Sequence, residues 1–407
     1  MSEKLIIRNF GPIKDVELDL KKFNVIIGEN ATGKSTIAKV LAVCKYFSYI
    51  ALDDAFIAGR TKFSSGLERW GLSDAIKNDS YIFYESDHYT LKVEQVVQPI
   101  WSEDANEDGT YNNIFTHSFV PDLKAKSREF VQLLAELNKV VIKNRRSGSH
   151  PTNKIIPTSF YLNDVANVMD NPFYIPTERG LQSIFSLGQD SIPNLSNSLF
   201  NQFAKLDSIA RDFKNETIIE PLEIIYKNVE GRGYFKKEGQ HDFLSLYNGA
   251  SGYKSAIPIV LVVKYYNEFK KKKKTFIIEE PELNLFPSAQ KELINYLVEY
   301  TINKGNNALL TTHSPYTLTS LNNLMYAYEV GKKETEVTSE VIDKKYWLNP
   351  EEVSAYRLLA DGTCEDIVDK GEDATLIKAE KIDEISGKLN ENFDKLISLE
   401  ILNTSEK

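Results

Sequence analysis

The sequence predicts an α/β fold organised on a mostly parallel, doubly wound sheet, and three observations carry that prediction. Phe23-Asn24-Val25-Ile26-Ile27 is a continuous apolar run that enters a glycine-punctuated loop and then a helix-like run from Thr36 to Val43. Two more short apolar runs, Thr275-Phe276-Ile277-Ile278 and Ala308-Leu309-Leu310-Thr311-Thr312, lie further along the chain among helical stretches. All three end abruptly in polar residues: Gly28-Glu29-Asn30, Glu279-Glu280-Pro281-Glu282 and His313-Ser314-Pro315. Continuous apolar strands belong in the middle of a sheet covered on both faces. Strands alternating with helices build a parallel sheet, and such sheets place their sites at the carboxyl ends of the strands.

The loop after the first strand, Gly28-Glu29-Asn30-Ala31-Thr32-Gly33-Lys34-Ser35, fits the P-loop pattern of glycine, four residues and Gly-Lys-Ser. Gly28 and Gly33 permit backbone angles that a side chain forbids. Successive N–H groups can then point inward and form an anion nest, and the helix starting near Gly33 adds the positive end of its dipole. Lys34 is placed to reach β- and γ-phosphates, and the Ser35 hydroxyl to bind magnesium.

With 407 residues the chain has room for one large domain or two ordinary ones. Its apolar fraction of 42% and charged fraction of 26% are those of a soluble globular protein. A net charge of −9 argues against a whole-surface nucleic-acid binder while leaving room for local basic patches. Two cysteines, Cys44 and Cys364, supply neither a disulfide framework nor a zinc cluster, which suits a reducing cytosol. The opening Met1-Ser2-Glu3-Lys4 has no signal-peptide pattern, and the apolar run from Ala256 to Val263 is too short to span a membrane. A cytoplasmic protein with no membrane partner is the expectation.

In chain order, Leu5-Ile6-Ile7 reads as a strand and Arg8-Asn9-Phe10-Gly11-Pro12 as the turn after it. Val16-Glu17-Leu18-Asp19-Leu20 alternates as a half-buried strand does. Tyr81–Glu85 and Tyr89–Val93 flank a turn that holds His88, read as a loop residue. From about Pro121 to Asn144 the period turns helical, and Arg145-Arg146-Ser147-Gly148-Ser149-His150-Pro151 reads as a loop. Phe173-Tyr174-Ile175 is a short strand that runs into Pro176-Thr177-Glu178-Arg179-Gly180, a charged turn read equally well as structural or as a site edge. Residues 190–228 read as helix, with an aromatic stripe of core spacing. Ala250-Ser251-Gly252 precedes an apolar helix and offers free N–H groups to an anion. Lys270 to Lys274 read as a solvated helix end where cations suit the dipole, rather than as a nucleic-acid patch. The last sixty or so residues read as α-rich and acidic, with an amphipathic stretch from Glu380 to Leu402.

In one order the chain carries a P-loop, a Ser-Gly helix start, an acidic strand end and a strand-terminal histidine. Phosphoryl transfer needs positioning and charge compensation. Lys34 and the loop amides suit the phosphates. Ser35 and Glu279 suit magnesium, Glu279 through water. Glu280 is placed to polarise an attacking water as general base, and His313 to contact the γ-phosphate or that water.

These residues resemble an ABC-type ATPase head of the SMC/OLD-like group. The strand with Asn9-Phe10, the stretch from Gly28 to Thr36, Ala250 to Ser255, Ile277 to Pro287 and His313 are similar to its opening strand, P-loop, signature, Walker B with D-loop, and switch histidine. The resemblance implies an α/β P-loop NTPase of ABC type, with a mostly parallel core sheet, an antiparallel β lobe and helical insertions. The nucleotide-binding set it implies is Asn9, Gly28, Glu29, Asn30, Ala31, Thr32, Gly33, Lys34, Ser35 and Thr36. ATP is then the substrate and Mg2+ the cofactor, held by Ser35 and Glu279. Glu280 and His313 are catalytic, and Ser251 and Gly252 meet the γ-phosphate held by a second chain.

Three departures are visible: Glu279 stands where most such heads carry aspartate, no Q-loop glutamine is evident, and the signature lacks its full Leu-Ser-Gly-Gly form. The expected organisation is an N-terminal lobe over 1–120, a helical insert over 121–228 interrupted near 173–180, a C-terminal lobe over 229–345 and a helical cap over 346–407. Neither a long SMC arm nor a Toprim nuclease domain fits the spacing, so the expectation is a stand-alone head. It dimerises or forms a larger homo-oligomer around ATP and controls a separate effector, a nuclease or toxin, as such heads do in phage-defence modules, with DNA a possible ligand. A non-hydrolysing ATP-dependent scaffold is the alternative, and a direct nuclease the lesser one.

Overall fold

The computed structural model describes residues 3–57, 66–67, 70–87, 90–96, 116–117, 172–181, 197–270, 273–372, 374–378, 391–393 and 395. The helix expected over 121–144, the loop at 145–151 and His88 lie outside them, as does nearly all of the helix expected over 380–402.

The core is a six-stranded sheet. Its strands are β3 (Phe23–Gly28), β7 (Phe173–Ile175), β12 (Thr275–Glu279), β13 (Asn307–Thr312), β14 (Val353–Leu358) and β15 (Cys364–Asp366), in the order β15-β14-β3-β13-β12-β7. All pairings are parallel except β14 with β15 at the edge. The side chains of the parallel strands alternate between two apolar cores. Phe23, Val25 and Ile27 of β3, Phe276 and Ile278 of β12, and Ala308 and Leu310 of β13 fill one core. Ile26, Ile277 and Leu309 fill the other. Both faces being covered, no strand position can be polar without a partner, which is why these strands read as unbroken apolar runs.

One face is covered by α2 (Asn197–Asp212), α3 (Ser251–Lys264), α4 (Pro287–Tyr300) and α5 (Pro315–Gly331). The other is covered by α1 (Lys34–Ile57) and a largely antiparallel lobe in the order β2-β1-β4-β5-β6, made of β1 (Glu3–Phe10), β2 (Ile13–Leu20), β4 (Ile76–Glu85), β5 (Thr90–Val96) and β6 (Thr116–His117). A short helix, α6 (Thr335–Val341), follows α5. The mostly parallel core sheet and the antiparallel β lobe are those expected from the sequence.

Two stretches differ from the sequence reading. Within 190–228 the helix ends at Asp212, and a small antiparallel sheet follows, built from β8 (Thr217–Ile219), β9 (Ile224–Val229), β10 (Arg232–Lys237) and β11 (Leu244–Ser245). Ile224, Tyr226 and Asn228 alternate inward along β9, a period of two that the helical reading overlooked. The second stretch is the cap expected to be helical over 346–407. Its described part is strand-rich: β14 enters the core sheet beside β3, β15 lines the edge, and β16 (Val368–Lys370) pairs with β17 (Thr375–Ile377). Acidic neighbours gave that stretch a helical look. Val353-Ser354-Ala355-Tyr356 is nonetheless buried on both faces, and the Asp361-Gly362 pair is a hairpin signal.

Candidate active site

Of the predicted residues, the glycine loop, Glu279, Glu280 and His313 lie at the carboxyl ends of β3, β12 and β13, which are side by side in the core sheet. The loop from Gly28 wraps the start of α1, whose first turn is closed by Ile37 N–H donating to the Gly33 carbonyl at 2.9 Å. Ala31 sits at φ 63° and Gly33 at φ 104°. Gly33 is required there twice over: a side chain resists that angle, and a Cβ would lie 3.1 Å from both Pro12 Cγ and Ile13 Cγ1. Thr32 Oγ1 donates to the Glu29 carbonyl at 2.9 Å and pins the loop. Lys34 Nζ donates to the carbonyls of Gly28 and Glu29 at 3.0 and 2.8 Å. Burial pulls its pKa down, while Glu280, Glu279 and Glu282 oppose that pull, so one ammonium stands in the field of three carboxylates.

Asn9 lies at a bulge of β1 with φ 49°, a left-handed angle that asparagine tolerates. Its side chain donates to Asp79 Oδ2 at 2.9 Å, and its carbonyl accepts from Ser80 Oγ at 2.6 Å. The structure therefore gives Asn9 a turning task. It directs the chain into Pro12 and Ile13, which support Gly33.

The two acids after β12 have opposite surroundings. Glu279 is 2% exposed. Burial raises its pKa, and the Tyr174 hydroxyl, Lys39 and the Ser35 hydroxyl counter the rise. Tyr174 Oη and Glu279 Oε1 are both buried, and the hydroxyl is near enough to act on the Glu279 charge, yet neither atom makes a hydrogen bond of full geometry. Glu280 is partly exposed and sits at φ 42°. His313 Nε2 lies 3.3 Å from Glu280 Oε1, and this contact first, with Lys34 and Arg179 adding, holds the Glu280 pKa below the usual carboxylate range.

Three residues to which the sequence assigned no definite role hold this arrangement. Glu282 Oε1 accepts from Thr312 Oγ1 at 2.6 Å and from the His313 N–H at 2.8 Å, tying the acidic turn to the end of β13. Gln290 Oε1 accepts from Ser314 Oγ at 2.6 Å. Arg179 is wholly buried beneath the turn. Of these, Glu282 had a signal as the third acid of Glu279-Glu280-Pro281-Glu282 and Arg179 as part of the charged turn after Ile175, whereas Gln290 had none.

Ser251 and Gly252 form the first turn of α3, whose N-cap is Ala250. A Cβ on Gly252 would lie 2.8 Å from the Asn284 carbonyl. Glycine is therefore what lets this helix start close against the turn after Glu280, and Asn284 Nδ2 donates to Ser255 Oγ at 3.3 Å across the same contact.

The chemistry of the donor set fits a hydrated magnesium ion. Ser35 and Glu279 are the residues to hold it, and the unpartnered Glu279 Oε1 offers an acceptor for a metal-bound water. Among the described residues no group of three or more His, Cys, Asp or Glu side chains forms a metal cage, and a magnesium ion shared with phosphates needs none. No helix of the described residues is long and apolar enough to cross a membrane.

Comparison with known proteins agrees with this geometry. The family model described as AAA ATPase domain matches residues 1–95 and 177–318, more than half of the chain. No curated protein matches it. Among solved structures, the SMC head domain from Thermotoga maritima is 10% identical at a TM-score of 0.41, covering 91% of this chain and 99% of that one. An Smc head bound to the C-winged helix domain of ScpA is 14% identical at a TM-score of 0.42, covering 94% and 99%. A dimeric ATP-binding cassette in a post-hydrolysis state with ADP and Pi is 10% identical at a TM-score of 0.31, covering 90% and 99%. The family match takes in the glycine loop, the Ser-Gly helix start, both acids and His313, and by it the chain belongs to the AAA ATPase domain family.

Proposed function

We propose that the protein is a magnesium-dependent ATPase that closes as a homodimer around ATP and acts as a nucleotide-gated switch. The observation that carries this reading is the contrast between two adjacent acids. Glu279 is buried with an unpartnered oxygen beside the Ser35 hydroxyl. Glu280 is accessible, ionised and paired with His313. One suits the metal side of a phosphate chain and the other the water side.

Magnesium, when bound, offsets the charge of the β- and γ-phosphates. The N–H groups from Gly28 to Gly33 and the start of α1 bind the phosphates, and Lys34 leaves its two loop carbonyls to reach them. Glu280 accepts a proton from the attacking water. His313 orients Glu280 and that water. Ser251 and Gly252, at the exposed start of α3, face the nucleotide of a second chain. Large apolar side chains exposed beside the site residues, Phe286 at 78% and Tyr316 at 54%, support a partner surface there. On the resemblance, the output of the switch is control of a separate effector, a nuclease or toxin in an anti-phage or DNA-related setting.

The test is ATP turnover together with mass determination of the purified chain, with and without ATP and magnesium, beside Glu280→Gln. The reading expects turnover, an ATP-dependent dimer, and a variant that hydrolyses about 10²–10⁴-fold more slowly, as loss of a general base does, while trapping the dimer. Equal turnover in the variant overturns the role of Glu280. An ATP-dependent oligomer with no turnover favours the non-hydrolysing scaffold, and a monomer under all conditions overturns the dimeric reading.

A further inference from the structure

Arg179 is the largest fully buried side chain among the described residues, at 0% exposure. Four hydrogen bonds from its guanidinium end on main-chain carbonyls. Nε donates to Ser255 at 2.7 Å, Nη1 to Pro176 at 3.0 Å and to Glu279 at 2.6 Å, and Nη2 to Glu280 at 2.6 Å. Three segments meet on this one group: the turn after β7, the first turns of α3, and the end of β12. Burial lowers its pKa to about 10, with Glu282, Glu279 and Glu280 opposing the fall, so it stays cationic at neutral pH.

A buried charge is a poor choice for filling space, since apolar residues of similar volume do that at least as well. Its geometry is what an apolar residue lacks: a planar fork that reaches several acceptors at fixed angles. Glu280 has a particular need of such support. Its φ of 42° is a left-handed angle that persists only when its surroundings over-determine it. The Glu280 N–H donates to the Thr311 carbonyl at 2.9 Å, and the Glu280 carbonyl accepts from Arg179 and from the Leu283 N–H, the latter at 3.0 Å.

We propose that Arg179 is a positioning residue that links the start of α3 to the Glu280 main chain, so that engagement of Ser251 and Gly252 by a second chain is transmitted to the carboxylate facing the water. This rests on the dimeric ATPase reading above. A second contact runs the same way, through Asn284, which touches Gly252 and bonds Ser255. The N–H groups of Glu280 and Leu283 report the state of the turn directly, whether or not ATP is hydrolysed.

The experiment compares the wild-type chain with Arg179→Lys, which keeps the charge and loses the fork, and Arg179→Met, which keeps the bulk alone. ATP affinity, turnover and hydrogen exchange of the 280–283 amides are read in each. The four hydrogen bonds of Arg179 end on Pro176, Ser255, Glu279 and Glu280 and not on the glycine loop, so ATP affinity is expected to hold in both variants. Turnover falls about a hundredfold, the scale of a small misplacement of a catalytic group, and the 280–283 amides exchange faster. Unchanged exchange at 280–283 in a folded variant overturns the inference. So does a loss of ATP affinity equal to the loss of turnover, which marks a merely structural role. If neither variant folds, the wild-type chain with magnesium and a non-hydrolysable ATP analogue gives the result. Parallel protection of residues 251–256 and 280–283 supports the link, and protection of the first without the second overturns it. A wild-type chain that neither dimerises nor hydrolyses ATP refutes the dimeric reading instead, and the exchange comparison of the variants still decides what Arg179 holds.

Discussion

Thr312→Val removes a single oxygen at fixed volume and tests how His313 is held. Thr312 is 0% exposed. Its hydroxyl donates to Glu282 Oε1 at 2.6 Å and accepts from the Ser314 N–H at 3.0 Å. Valine opens no cavity, so the cost is polar. A hydrogen bond to a carboxylate contributes about 1.5–3 kcal/mol, and a buried N–H left without an acceptor costs about 1–3 kcal/mol. Together these predict a loss of about 4 kcal/mol, large beside a typical total of about 5–15 kcal/mol. Thr312→Ser is the control: it keeps both bonds and removes one buried methyl, for about 1 kcal/mol. Urea unfolding followed by the fluorescence of the buried Trp70 and Trp347 reads the difference. The kinetic consequence follows from the second donor on Glu282 Oε1, the His313 N–H at 2.8 Å. Once the carboxylate is loosened, the backbone beneath His313 moves, and turnover falls while ATP affinity holds. A valine variant no less stable than the serine variant refutes the reasoning, as does an equal loss of affinity and turnover.

Burial raises the Glu282 pKa above its ordinary value, so its ionised form is disfavoured in the fold and wild-type stability rises relative to Glu282→Gln as pH falls from neutral through that raised value to the unfolded one. Unfolding of both proteins across that range checks the sign, and a difference independent of pH contradicts it. Glu280 has the opposite sign, because its pKa is lowered: the stability it contributes is present above the unfolded pKa and is lost as pH falls through the folded one. Gly33→Ala places a Cβ 3.1 Å from Pro12 and Ile13 at φ 104°. Backbone strain of about 1–3 kcal/mol is then expected to weaken ATP binding about 5- to 150-fold, measured by titration, and wild-type affinity would contradict it. A chain ended after Lys345 loses β14 and is expected to be insoluble or unfolded by circular dichroism; a folded, ATP-binding product would show that the core sheet does not need that strand.

The parts legible in the sequence were those in which local pattern and tertiary setting agree. Phe23 to Ile27, Thr275 to Ile278 and Ala308 to Thr312 are apolar because both faces of the sheet are covered, and the polar residues after them mark the site edge. Gly33 announced its own backbone angle. Arg179 was ambiguous in the sequence because its meaning lies in four carbonyls spread from Pro176 to Glu280, and no local rule reports which carbonyls a buried guanidinium finds. Asn9 was assigned through the resemblance, whereas its bonds to Asp79 and Ser80 show the local task it performs. In β14 the flanking acids outweighed a short strand buried on both faces, whose partner, β3, lies more than three hundred residues earlier. Pairing at that range is decided by packing, which local composition does not encode.

That distant strand bears on how the site works. β14 pairs with β3 up to the register Leu358 with Gly28, and the hairpin beyond it sends the Gly362 carbonyl to the N–H groups of Lys14 and Asp15 at 2.8 and 3.2 Å. The glycine loop is thus seated between the turn that supports Gly33 and a hairpin from the far end of the chain, held mainly by main-chain bonds and close packing and pinned from within by Thr32 and Lys34. The opposite half of the site is built differently. Glu280, Glu282 and His313 are set by side-chain contacts through Thr312, Arg179 and one another, and two carboxylate oxygens there, Glu279 Oε1 and Glu282 Oε2, are buried without partners. Main-chain packing resists displacement in every direction, whereas a side-chain network with unfilled acceptors has a second arrangement within reach. An anion entering such a site meets a preformed cradle on one side and an adjustable acid and histidine on the other. On the proposed dimeric reading, a contact that moves α3 acts on the adjustable half and leaves the cradle as it was, and nucleotide retention and nucleotide chemistry are then expected to be separable.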